Sequence, residues 1–122
     1  MMKKYSMLFL IMVFVLCFAS TVSANADITF TPANVYFADN GKLVVTGVLI
    51  NKGNQNGIVD TARLEVYRVN DNGQFLLTNA NFANVNASVP AGGSLNWQFN
   101  ISGVAYTEIG HWRVIADLGY HW

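Results

Sequence analysis

The sequence is poor in the side chains on which most protein chemistry depends. It holds one Cys, two His and two Pro, and only 11% of its residues are charged. The one thiol, Cys17, lies in an apolar N-terminal run, so disulfides, thiolate metal sites and a cysteine nucleophile are excluded from residues 25–122. The two imidazoles, His111 and His121, lie ten residues apart with no Ser partner near them in sequence. Both read as exposed positions on or just after an edge strand. Beyond residue 24 the cations are Lys42, Lys52, Arg63, Arg68 and Arg113, and the acids Asp27, Asp39, Asp60, Glu65, Asp71, Glu108 and Asp117, for a net charge of −2. Five scattered cations cannot release counterions together, which argues against nucleic acid as a partner.

The N-terminus settles an expected compartment. Lys3 and Lys4 precede an apolar run from Met7 to Ala19 and then the small residues Ser20 to Ala24, the pattern of a secretory signal peptide. The run is shorter than the roughly 20 residues a transmembrane helix needs, and none follows it. Cleavage fits after Ala24 or after Ala26; the first divides the chain into a signal, 1–24, and a single domain, 25–122. A lipoprotein reading of Cys17 is disfavoured because Leu16 stands where a small residue is wanted. The signal's style and the cysteine-free exported domain look bacterial, and the expected location is secreted, with no transmembrane segment in the mature chain. A domain of about 100 residues without disulfides relies on one hydrophobic core, and that length suffices for one.

Asparagine and period-two alternation are what the chain has in quantity. Fourteen Asn follow residue 24, and Asn tolerates the left-handed conformation and caps turns. Helical periodicity is hard to find there, and alternating segments bounded by Asn, Asp and Gly predict an all-β sandwich or barrel. Residues 27–31 and 34–38 form a first strand region interrupted at Pro32, which suits an edge. Residues 42–50 are apolar on both faces, as a central strand is. After the polar loop 51–57, Ala62, Leu64 and Val66 alternate with Arg63, Glu65 and Tyr67. Asn70-Asp-Asn-Gly73 predicts a tight hairpin into a strand at 74–78. Residues 79–89 carry no single pattern; Val85, Ala87 and Val89 alternate with Asn84, Asn86 and Ser88, as in an exposed strand. Leu95, Trp97, Phe99 and Ile101 form the inward row of a core strand, and residues 110–118 close the domain with Trp112 inward.

Three stretches carry a resemblance. Leu43-Val-Val-Thr-Gly-Val-Leu-Ile-Asn-Lys-Gly-Asn54, Val89-Pro-Ala-Gly-Gly-Ser-Leu-Asn-Trp-Gln-Phe99 and Gly110-His-Trp-Arg-Val-Ile-Ala-Asp117 resemble, in order, elements of the bacterial immunoglobulin-like modules of the cell-adhesion-related (CARDB) and FxLYD types. The resemblance implies an immunoglobulin-like antiparallel β-sandwich of about seven strands, a role in adhesion or protein contact, and no catalytic residues. Those modules have a further strand after the last of these elements, and here only Gly119-Tyr-His-Trp122 remains. The expected sandwich therefore lacks a full C-terminal strand. Residues 34–38 are the favoured cover for the final strand's edge; the alternative is an open edge that takes a strand from another chain.

No constellation points to an enzyme. Gly92-Gly-Ser-Leu-Asn96 is not a nucleophile elbow, because Asn96 stands where a Gly must be and no strand-to-helix context exists. Asp71 among Asn70 and Asn72, and Asp39 beside Asn40, offer too few carboxylates for a calcium shell and read as turns. No cofactor is expected. The expected function is non-catalytic contact with an extracellular protein or cell-surface component. Its alternative is a carbohydrate-binding accessory module, and the contact candidates are Tyr67, Tyr120, His121 and Trp122.

Overall fold

The computed structural model describes residues 24–122; the signal-peptide reading and Cys17 fall on residues 1–23 and so lie outside the described residues. Seven strands follow: β1 (Ile28–Phe37), β2 (Leu43–Asn51), β3 (Gly57–Asn70), β4 (Gly73–Phe82), β5 (Ala87–Val89), β6 (Ser94–Ile101) and β7 (His111–His121). Every pairing is antiparallel. The first sheet runs β1-β2-β6, and the second is built on β3, which pairs with β4, β5 and β7. Val59 pairs with both Ala87 and Tyr120, and Ala62 with both Phe82 and Leu118. A residue has only two lateral neighbours, so β4 and β5 share one side of β3 and β7 takes the other. The chain thus crosses between sheets after β2, β5 and β6 and forms a two-layer antiparallel β-sandwich. No helix among the described residues is long and apolar enough to cross a membrane.

The alternation explains the core. Leu43, Val45 and Leu49 of β2 face Val59, Leu64 and Val66 of β3, all fully buried. β2 is the central strand its two apolar faces predict, and its outward Val44 is buried as well. Phe99 links the layers: its ring is 5.2 Å from Phe30 of the same sheet, edge on, and 4.9 Å from Phe82 of the other. Gly47 makes this possible, because a Cβ there would lie 2.3 Å from the Thr31 carbonyl oxygen and 2.6 Å from the Phe30 ring. The predicted hairpin joins β3 to β4, with Asn70 opposite Gly73. Only Gly73 has a positive φ there, +125°, and the Asn72 N–H donates to Asn70 Oδ1 at 2.9 Å, so an Asx contact shapes the loop.

Four expectations change. The Pro32 interruption is a bulge at Ala33 inside one continuous edge strand, β1. β3 starts at Gly57, earlier than its alternation suggests, and β4 extends to Phe82. Residues 85–89 are not an exposed strand: Ala87 and Val89 are buried, because β5 pairs with the first residues of β3. Asn84 and Asn86, both at positive φ, set the approach to that pairing. Finally, residues 34–37 do not pair with β7, although β1 lies beside it across the sandwich. They pair with 43–46 of β2, whose lateral hydrogen-bonding groups hold them in the first sheet.

Among the described residues one polar residue is built into the interior. Asn51, 1% exposed, accepts from the Asp27 and Gly53 N–H groups at 3.1 and 2.9 Å and donates to the Gln55 and Val89 carbonyls at 2.8 and 3.1 Å. Its amide ties the start of β1, the 51–57 loop and β5 together with every contact satisfied.

Candidate functional site

The feature that stands out is the free side of β7. Among the described residues β7 pairs only with β3, leaving the backbone N–H and C=O groups of its second edge without a neighbouring strand. The strand is eleven residues long and its pairing carries no extra residue of its own; the one irregularity, at Asp60, lies on β3. The edges of β1 and β4 are each broken by a bulge, at Ala33 and at Leu77, whereas β6, the other edge of the first sheet, is unbulged but only eight residues long. Bulges are a common way of blunting an edge, and β7 lacks one.

β1 lies beside β7 across the sandwich and covers its inward side in part. The inward residues of β7, Trp112, Val114, Ala116 and Leu118, pack against the core but are only half-buried. Ala62, Leu64 and Val66, the β3 partners of Leu118, Ala116 and Val114, are buried, whereas Trp112 lies opposite the half-buried Arg68. An apolar row therefore runs along the open side. On the outward face stand His111, Arg113, Ile115, Asp117 and Gly119. Ile115, 39% exposed, is flanked two residues away on either side by charges of opposite sign. Arg113 Nη1 donates to Gln74 Oε1 at 3.2 Å, and Asp117 lies across from Arg63 in register.

The four contact candidates divide into two groups. Tyr120, His121 and Trp122 end β7 together. Tyr120 is half-buried against the core, its ring 6.3 Å from that of Trp122, which is 60% exposed. His121 Nδ1 lies 2.7 Å from Asp60 Oδ2, and both side chains are exposed. Trp122 and His121 border a cleft of about 430 Å³ completed by Asn56, Ile58, Ser88 and Pro90. Tyr67 does not belong to this group. It pairs with Arg113 near the other end of β3, eight residues from Val59, the partner of Tyr120, which is roughly 25 Å along a strand. There its hydroxyl donates to Glu65 Oε1 at 3.0 Å, and Arg63 Nη2 holds Glu65 Oε2 at 3.3 Å. The hydrogen bond to Glu65 raises the Tyr67 pKa above the ordinary 10.0.

Residue patterns alone underrate Ile115, Arg113 and Asp117. Alternation puts them on the wet face of the strand whose open edge the sequence raises as an alternative, and the register adds that no strand pairs on their second side among the described residues. Among the described residues no three His, Asp or Glu side chains come together to hold a metal ion. His111 and His121 stand at opposite ends of β7. No protein-family model matches the sequence, and no curated protein matches it.

Proposed function

We propose that this chain is a secreted, non-catalytic binding module that acts by contact with an extracellular protein or a cell-surface component, with the open edge of β7 as its contact element. The observation that carries the reading is that edge: eleven residues, no bulge, no neighbouring strand among the described residues, and an apolar row half-covered beside it. An unpaired edge of this length binds by adding a strand, where main-chain hydrogen bonds supply affinity and alternate side chains supply selectivity. The similarity to cell-adhesion-related modules points to the same class of function.

Proline substitutions test it. The N–H groups of Ile115 and Ala116 point to opposite sides of the strand, one to β3 and one to the open edge. Of Ile115→Pro and Ala116→Pro, the variant that loses only the outward N–H keeps its fold and blocks the edge. That folded variant is expected to lose retention on the surface of the producing cells, measured with the labelled protein. Retention equal to wild type would refute the edge as the contact.

A second reading, a carbohydrate-binding accessory module, is favoured by one observation: the exposed Trp122 ring beside a cleft containing Ser88 and Asn56. A largely apolar recess with a few polar groups suits a small ligand. Polysaccharide pull-down that is abolished by Trp122→Ala and unaffected by the edge-blocking proline would favour this reading over the first.

A further inference from the structure

We infer that the occupant of the β7 edge is a second copy of this chain, paired antiparallel about a two-fold axis at Ile115; the inference rests on the edge-contact reading above. In that register Arg113 lies opposite Asp117 of the second copy, and symmetry makes the pair twice. Trp112 falls opposite Leu118, Val114 opposite Ala116, and Ile115 opposite itself. Both rows are then consistent: apolar against apolar on the inward side, and on the outward side two ion pairs around an isoleucine contact. Directly opposed residues on an antiparallel pair have Cβ atoms about 4.5–5.5 Å apart, close enough for each of these contacts. The outcome is one continuous sheet across two sandwiches, with the half-buried inward residues of each β7 covered by those of the other.

The charge placement selects this register. Centring the axis on Val114 or Ala116 moves Arg113 and Asp117 away from each other, and centring it on Arg113 or Asp117 sets like charges face to face. Charges that merely guard an edge against pairing work by repelling or by being desolvated. Opposite charges placed symmetrically about Ile115 attract their own copies. Arg113 now donates to Gln74, but that contact is exposed and of the kind worth little, so turning the guanidinium to the edge costs little. The edges of β1 and β4 are bulged; β6 is a further unbulged edge, but its eight residues carry no charged side chain that could fix a self-complementary register.

The test is sedimentation equilibrium at low salt on residues 25–122, which contain every residue of the core. Wild type is expected to show a concentration-dependent monomer–dimer equilibrium at protein concentrations up to about 1 mM. Arg113→Asp and Asp117→Arg should each weaken dimerisation about tenfold or more, because both symmetric pairs become repulsive. The double variant Arg113→Asp/Asp117→Arg should return to within about threefold of wild type, since it restores both pairs. Asp117→Arg brings the net charge to zero, which by overall repulsion alone would strengthen association. Weakening in that variant therefore reports the local pairing. A wild type that stays monomeric, or single variants that dimerise as well as wild type, overturns the inference. If wild type is monomeric while the edge-blocking proline still abolishes surface retention, self-pairing is wrong and the edge serves a different protein.

Discussion

Replacing Asn51 by Ala removes four hydrogen bonds from one buried point of the sandwich. Each such bond contributes a net of about 1 kcal/mol, and a buried group left without its partner costs about 1–3 kcal/mol. The Val89 carbonyl, reached by the Asn51 Nδ2 at 3.1 Å, has no solvent near that contact. The Gln55 carbonyl and the Asp27 and Gly53 N–H groups lie in partly covered surroundings, where water makes up some of the loss. The sum is a destabilisation of about 3–5 kcal/mol, a large share of the 5–15 kcal/mol that holds a typical domain. Urea unfolding followed by the fluorescence of Trp97 and Trp112, both packed against the core, measures it. With a slope near 1 kcal/mol per molar urea for a small domain, the midpoint falls by roughly 3 M or more. Asn51→Asp separates hydrogen bonding from volume. It keeps the shape and both acceptances but cannot donate to Gln55 and Val89 at neutral pH, so it should be at least as destabilising as Ala. A loss below about 1 kcal/mol in Asn51→Ala, or an Asp variant as stable as wild type, would refute the assignment of this amide as the tie between β1, β5 and the 51–57 loop.

Other outcomes follow from the same geometry. Gly47→Ala forces a methyl group into the Thr31 carbonyl and the Phe30 ring, and should cost about 1–3 kcal/mol in the same urea assay; a neutral result would contradict the close approach. Leu64→Ala should cost about 2–5 kcal/mol, and Leu118→Ala distinctly less at concentrations where the protein is monomeric, because Leu118 is only half-buried on the open flank. The Tyr67 phenol, followed by tyrosine-labelled NMR, should titrate above 10.0 and move back toward it in Glu65→Gln. The sign is fixed by the direction of the shift: the neutral phenol is the form the fold favours. Its contribution to stability is complete below the ordinary pKa and is lost as pH rises through the folded value.

Much of the architecture is legible in the residues. The row Leu95, Trp97, Phe99 and Ile101 forms the inward face of β6, and the doubly apolar 43–50 stretch is the central strand, because alternation reports burial directly. The β3–β4 hairpin follows from local turn chemistry at Asn70 and Gly73. What is not legible depends on partners distant in sequence. Ala87 and Val89 look like the apolar face of an exposed strand until Gly57–Val59 is brought beside them. Asn51 looks like the first residue of a polar loop, and its four partners at 27, 53, 55 and 89 meet only in three dimensions. Similarly, the C-terminal aromatics are visible as candidates, but nothing local separates Tyr67 from Tyr120 and Trp122. That separation comes from the register of β3 against β7.

Absence of cysteine after residue 24 allows the pairing itself to be read by single thiols. Ile115→Cys places one thiol on the two-fold axis, opposite its own copy and within disulfide reach, whereas Arg113→Cys alone places thiols four residues out of register, beyond the 7 Å Cα limit for a bridge. Mixing Arg113→Cys with Asp117→Cys brings unlike thiols opposite each other. Under mild oxidation, Ile115→Cys is expected to form covalent dimers readily, Arg113→Cys and Asp117→Cys to form few alone, and their mixture to form the heterodimer. Equal cross-linking of all three single variants, or none from Ile115→Cys, would contradict β7-to-β7 pairing in this register.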